Sequence, residues 1–389
     1  MRSVLRAFRE EVSGALRDPG ALLVLVGAIA LYAFFYPTPY RREVLKEVPI
    51  AVVDLDRTPL SRQLVRFADA HELVRVAAHA GSLAQAEALV RDGKAGGVLG
   101  IPEGFEREVK RGAPASVGVL ADATYFLVYR QVLTGLAESV GTLSAGIEIR
   151  RLTAQGMPEA KARSFRDPVP LVSRPLFNPA EGYATYVVPP VLILILQQTL
   201  LIGIGLRGPA DLGRLGSGPL VARAAASVTG RTLAFVALYL VHALFYFGVV
   251  ARLFDFPVRG SAAAAAGLVL PFLLATSFLG LALSVLFRRR EAAIQTLLFT
   301  SLPAIFLAGF SWPPSALPAW LRVASQAIPS TSAIPALLRV NQAGASLAHV
   351  RHELALLWGL AVVFFVLAVL AQAGREAAVR RQYRAATKP

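Results

Sequence analysis

Cysteine is absent from the 389 residues, so the chain has no disulfide, no thiolate nucleophile and no zinc–thiolate site. Charge is scarce as well: 17% of the residues are Asp, Glu, Lys or Arg, against roughly 25% in an ordinary soluble domain. Several catalytic signatures are missing. No G-x-x-x-x-G-K-[S/T] occurs, and the nearest stretch, Asp92-Gly93-Lys94-Ala95, lacks the hydroxyl residue and the preceding glycine spacing. There is no H-E-x-x-H and no G-x-S-x-G. The sequence therefore offers no ATPase, zinc-protease or esterase centre. No internal repeat is visible, and no Asp, Glu, Lys or Arg lies deep in any long apolar run, which argues against a proton relay or an ion-coupled pump.

What the chain does contain is apolar length. Of its residues 55% are hydrophobic, gathered into runs at about 21–38, 184–206, 232–251, 262–287, 292–310 and 352–373. Each approaches the roughly 20 residues needed to cross a bilayer core. The first run follows a basic segment, as a signal peptide does, but it ends in Tyr32, Phe34, Phe35 and Tyr36 without a small-residue cleavage site, so it reads as a retained span with an aromatic interfacial end. Pro271 should kink the fourth run. Before the first run, residues 1–17 place Val4, Leu5, Phe8, Val12 and Leu16 at helical spacing, with Arg2, Arg6, Arg9 and Glu10 elsewhere; this predicts an amphipathic helix on the cytoplasmic membrane surface.

Net charge is +15, which could suggest nucleic acid, but its placement has a topological explanation. With the N-terminus in the cytoplasm, the segments 1–18, 207–231, 288–291 and 374–389 carry sixteen Lys and Arg against six acids. The short outer loops carry five basic residues: Arg252, Arg259, Arg322, Arg339 and Arg351. The positive-inside bias puts both termini in the cytoplasm, with 374–389 as a basic tail, and no nucleic-acid partner is needed.

Residues 41–175 differ in kind, with nineteen basic and sixteen acidic residues. Strand-like runs at 48–56, 72–80, 96–102 and 115–123 alternate with helical ones at 61–70, 82–93 and 103–112, and a longer helix over 124–155 follows. This predicts a small α/β domain outside the cytoplasm. The fold class expected is thus an α-helical polytopic membrane protein with six transmembrane helices and an inserted α/β domain between the first two; the remaining spans fill 184–373. The absence of disulfides in an outer domain suits a bacterial cell membrane. Residues 311–351, rich in proline, serine and tryptophan, read as a re-entrant or surface-lying helix pair.

Polar residues admit competing readings. Asp54 and Asp56 share a strand face and could form a cation site, but Asp56-Arg57-Thr58-Pro59 also reads as a turn with a helix N-cap. His349 and His352 lie close together without forming a metal motif. Gln197, Gln198, His242 and Gln295 lie within spans and could line a substrate path, although such groups more often bond helix to helix. The loop 207–231 contains a short helix at 219–228 on which a soluble motor could push; as a bland alternative it is a basic connector on anionic lipid.

Four segments carry a family resemblance: the amphipathic helix 1–17; VPIAVVDLDRTPLSRQL at 48–64; FNPAEGYATYVVPPVLILILQQTLLIG at 177–203; and GFSWPPSALPAWLRVASQAIPST at 309–331. Together they resemble the permease subunit of type-2 ATP-binding-cassette exporters, in the branch with a large extracytoplasmic domain after the first helix. The resemblance implies a permease that pairs with a second permease chain, as homodimer or heterodimer. It is powered by a separate nucleotide-binding ATPase subunit that carries the ATP and Mg, so this chain is a transport subunit without a catalytic, cofactor or metal site. Motor coupling would fall on 1–17 and 207–231, with Arg6, Arg9, Arg214, Leu220 and Arg223 as the contact surface. The outer domain would dock a periplasmic adaptor where the cell has two membranes. Family cargoes range over drugs, lipids and glycans; the apolar spans favour an amphipathic one. The alternative is a membrane receptor or scaffold whose outer domain binds a ligand or partner.

Overall fold

Helical spacing of apolar side chains makes Arg2–Arg17 a single helix, α1. Asp18 then takes an extended conformation, and its carboxylate accepts the Ala21 N–H at 3.2 Å, capping a helix that begins with Pro19. This second helix, α2, covers Pro19–Tyr40 and contains a π turn over Leu23–Gly27. The computed structural model describes residues 1–215 and 218–386, without the side chains of Arg214 and of 383–386. It comprises two units, Val44–Arg174 and the remainder of the chain.

The Val44–Arg174 unit runs β1 (Val48–Asp54), α3 (Pro59–Asp69), β2 (Val74–His79), α4 (Leu83–Arg91), β3 (Gly97–Ile101), α5 (Phe105–Arg111), β4 (Gly118–Ala121), α6 (Phe126–Ala154) and α7 (Glu159–Arg166). Strand order is β2-β1-β3-β4; β1 is parallel to β2 and β3, and β4 is antiparallel to β3. The unbroken apolar run of β1 suits a strand covered on both faces. Ile50 and Val52 pack with Leu64 of α3 and Leu136 of α6, while Ala51 and Val53 pack with Ala86 of α4. Ser82 caps α4, and Thr58 with Ser61 forms a capping box on α3.

The other unit continues with α8 (Tyr183–Arg207), α9 (Leu220–Leu253) and α10 (Ala262–Ser284). After these come α11 (Arg290–Phe299), α12 (Ser301–Leu307), α13 (Ala319–Ser325), α14 (Pro329–Asn341) and α15 (Arg351–Ala386). Five helices are long and apolar enough to cross a membrane: α2, α8, α9, α10 and α15 with its leading turn. The hydrophobic window of α8 is 89% buried and that of α15 only 28%, so α8 is the central helix and α15 a peripheral one.

Two expectations are corrected. The helix predicted at 219–228 is not separate; it forms the first turns of α9, because nothing between Val228 and Thr232 breaks a helix and Gly230 is tolerated there. The run 292–310 is not one helix but α11 and α12. Pro303 cannot donate to the Phe299 carbonyl and its ring crowds that turn, which ends α11 at Phe299. Residues 374–386, read above as a basic tail, are helical and continue α15. Pro271, by contrast, leaves α10 continuous, as buried prolines in packed apolar helices often do.

Within 311–351, α14 packs alongside α8. The Ser330 N–H at the start of α14 donates to Gln197 Oε1 at 2.8 Å, halfway along α8. Gln342, just past the end of α14, donates to the Thr185 carbonyl near the start of α8 at 3.1 Å. Thus α14 runs antiparallel to α8 over half its length.

Candidate functional site

Charged groups converge where α1, α8, α9 and α11 meet. Glu11 sits on a stripe of small residues, Ala7, Gly14 and Ala15, that lets α1 lie against α9. A Cβ on Gly230 would come within 2.4 Å of the Val4 carbonyl, so only glycine permits this approach. Buried there, the Glu11 carboxylate accepts from Arg207 at 3.0 Å and from Arg231. Arg231 also donates to the Gly208 carbonyl at 2.8 Å, binding the end of α8 to α9. Asp18 pairs with Arg290 at the head of α11 and lies 3.7 Å from Arg207. Burial pushes the Asp18 carboxyl upward, but the Arg290 hydrogen bond and charge, the Ala21 N–H and Arg207 outweigh it and hold it below its usual range. Ionic hydrogen bonds of this kind in low dielectric are strong and geometrically specific, and removing one partner is far more disruptive than replacing the whole set. Three helix ends, those of α1, α8 and α11, and an inner turn of α9 are therefore locked into one body.

The predicted coupling residues are distributed around this body. Arg6 and Arg9 are exposed on α1, and Leu220 is partly buried against the helical core. Arg223 is not at the surface: it is 7% exposed and donates to the Leu212 carbonyl at 3.0 Å, bracing the turn that follows α8. The Arg214 side chain lies outside the described residues. Sequence reasoning counted Glu11, Asp18, Arg207, Arg231 and Arg290 as topological charges and missed their convergence. The available signal was Glu11 at i+4 from Ala7 and i−4 from Ala15, an acid on the small-residue face of an amphipathic helix.

The candidate pathway residues do not form a cluster. Gln197 holds the start of α14, as above. The His242 imidazole donates to the Leu25 carbonyl at 2.9 Å, and Tyr246 donates to Ile29 at 2.9 Å, both beside the π turn of α2, where the regular ladder is loosened. Tyr239 stacks edge-on with His242 and donates to Thr199 at 3.0 Å. Gln198 is buried with an unpartnered Oε1, whereas Gln295 is exposed on α11. Among the described residues no hydrogen bond joins any two of these four.

Asp54 and Asp56 are structural. Asp54 accepts from the Asp56 and Arg57 N–H groups and from the Ser61 hydroxyl, at 3.1, 2.9 and 2.7 Å. Asp56 accepts from the Thr58 hydroxyl at 2.6 Å and from the Glu106 N–H at 3.0 Å, at the head of α5. Among the described residues no His, Asp and Glu group has the arrangement of a metal site.

At the opposite ends of the spans the contacts are different in character. Glu43 accepts from the Thr185 N–H and hydroxyl at 3.1 and 2.9 Å, Tyr186 donates to the Phe310 carbonyl, and Tyr36, Tyr40, Tyr183 and Tyr186 form a ladder of tilted rings.

Long apolar helices whose buried charges are confined to one set of span ends define a multi-pass helical membrane protein. Comparison with known families places it further: the chain belongs to the ABC-2 family transporter proteins, whose family model matches residues 20–370. It is accordingly a transport permease. No curated protein matches the chain.

Proposed function

We propose that the chain is the membrane-spanning subunit of an ATP-driven exporter, which forms the translocation pathway with a second permease chain and is powered by a separate ATPase subunit carrying ATP and Mg. The observation that carries this reading is the ion-paired body of α1, α8, α9 and α11. A soluble motor pressing on it would move the four helices together, which is what force transmission into a membrane requires. Arg6 and Arg9 on the outer side of α1 and Leu220 at the start of α9 would meet the motor; Arg223 would keep the adjoining turn in shape.

Six crossings are supported by contacts at both ends of the divided run. Arg290 at its start pairs with Asp18, and Phe310 at its end accepts from Tyr186 near the start of α8. Thus α11 and α12 together traverse the same thickness as α8. With the basic ends cytoplasmic, the Val44–Arg174 unit lies outside, where an adaptor would dock. A bacterial cell membrane is the expected location.

The test is purification of the tagged chain from its native membrane in mild detergent, with identification of what accompanies it. A stoichiometric subunit with Walker motifs, whose ATPase activity falls when Arg6 and Arg9 are both replaced by Glu, supports the exporter. A chain that comes out with no nucleotide-binding partner favours a receptor or scaffold.

A further inference from the structure

The first turns of α6 carry an exposed apolar stripe at the amino end of the parallel strands. A Cβ on Gly96, the residue before β3, would fall 2.6 Å from Val128 of α6 and 2.9 Å from Val48 at the start of β1. The Gly96 N–H donates to the Pro49 carbonyl at 2.7 Å, so α6 begins where β1 and β3 begin. Val128 and Val132 turn inward and pack with Val48, Leu99 and Leu136. The other side of the helix faces outward. Tyr125, at the head of α6, and Phe126, its first residue, are 68% and 71% exposed. Tyr129 and Leu133 are exposed as well, and their i+4 spacing puts them in line with Tyr125. A single exposed apolar side chain is ordinary, but adjacent ones of this size form a patch, which marks a contact surface. Both tyrosines of residues 44–174 lie in it.

Chain connectivity indicates what that surface meets. Glu43, three residues beyond α2, is fixed to the first turn of α8 through the Thr185 N–H and hydroxyl. Only Val44–Glu47 separate it from Val48. Five residue steps reach at most about 18 Å, so the amino end of β1 is tethered within that distance of the head of a membrane-crossing helix. Leu55, just past the other end of β1, is seven residues and about 23 Å along the strand from Val48. The aromatic stripe is thus at the tethered end of the strand. Phenol rings have an apolar body and a polar tip, the chemistry that settles at the headgroup level of a bilayer.

We propose that the α6 stripe docks on a lipid surface, with Tyr125, Phe126 and Tyr129 seated among the headgroups. The bilayer then holds the Val44–Arg174 unit in addition to the covalent links at its two ends. This inference rests on membrane embedding and on the Glu43 tether alone, and it holds whether or not an ATPase docks.

The chain has no cysteine, so one introduced cysteine carries a single spin label. The experiment labels the full-length protein separately at Phe126→Cys, Tyr129→Cys and Leu55→Cys. In proteoliposomes of phosphatidylcholine and phosphatidylglycerol it measures collision of each label with oxygen, which concentrates in the apolar part of the bilayer, and with a water-soluble nickel chelate. Leu55 is half exposed and serves as the aqueous reference. Labels at 126 and 129 should meet the nickel chelate roughly tenfold less often than the label at 55, because a polar solute is excluded from an apolar phase, and should meet oxygen more often. Tyr125→Ser with Phe126→Ser changes exposed side chains only, so the melting temperature should hold while nickel access at 129 rises to that at 55. Nickel access at 126 and 129 equal to that at 55 in the otherwise unaltered chain would overturn the proposal, as would a label at 129 that stays shielded in the double serine variant. Labels shielded from oxygen and nickel alike would also overturn it and give the stripe to a protein surface.

Discussion

The two ends of the helical bundle are fastened by different chemistry. At the α1 end, Glu11 and Asp18 are buried among Arg207, Arg231 and Arg290. At the other end, Glu43 takes neutral donors from Thr185, the Arg339–Glu353 pair is partly exposed rather than buried, and tyrosine rings and main-chain carbonyls add further contacts. Buried ion pairs are expensive to separate once made, because each partner is left as an uncompensated charge. Neutral hydrogen bonds near an aqueous boundary exchange with water for about 1 kcal/mol each. One end is therefore built to move as a piece and the other to come apart. Under the proposed function those are the requirements of the driven side and of the side that opens.

Glu11→Ala should have the largest effect, stranding Arg231 and costing about 3–5 kcal/mol, visible as a large drop in melting temperature and yield of the detergent-purified chain. Glu11→Leu with Arg231→Met should instead retain near-native stability while losing transport coupled to ATP; loss of stability equal to that of Glu11→Ala would show that the charges hold the fold and carry no coupling. Gly230→Val, whose new methyls would meet Val4 and Ala7, should cost about 1–3 kcal/mol and increase hydrogen exchange in α1. Glu43→Gln should cost only about 1 kcal/mol and raise protease or label access at the Glu43 end, with α1 protection unchanged.

The smallest effect is that of acid. Asp18 is held below the usual carboxylate range by Arg290, Ala21 and Arg207 despite its burial. Its contribution is complete above about pH 4, the unfolded carboxylate value. It is lost as pH falls through the lower folded value. Melting curves of the wild type should therefore be flat from pH 7 to about 4.5 as far as this group is concerned. Asp18→Asn should reduce the fall below that.

Much of the architecture was legible in the sequence. Apolar length marked the spans, and alternation marked all four strands of the sheet, because each property is local. Pro303 was equally local and equally visible, but a proline alone does not fix where a helix ends, since Pro271 leaves α10 continuous. The merging of 219–228 into α9 was hidden for another reason: Arg223 and Arg231 look like residues of an aqueous loop until Glu11, more than 200 positions away, is seen to neutralise one of them. Gln197 and His242 show the same limit, since a polar side chain inside a span looks alike whether it faces a path or a neighbouring helix.

The merged helix α9 has a further meaning. Its 34 residues make a rod of roughly 50 Å, well beyond the 30 Å or so of a bilayer core. A rod pivoting near its middle turns a tilt of about 5° into a sideways stroke of about 2 Å at each tip. The π turn at Phe245–Val250 lies near one tip, where such a stroke would meet the least regular stretch of the helix.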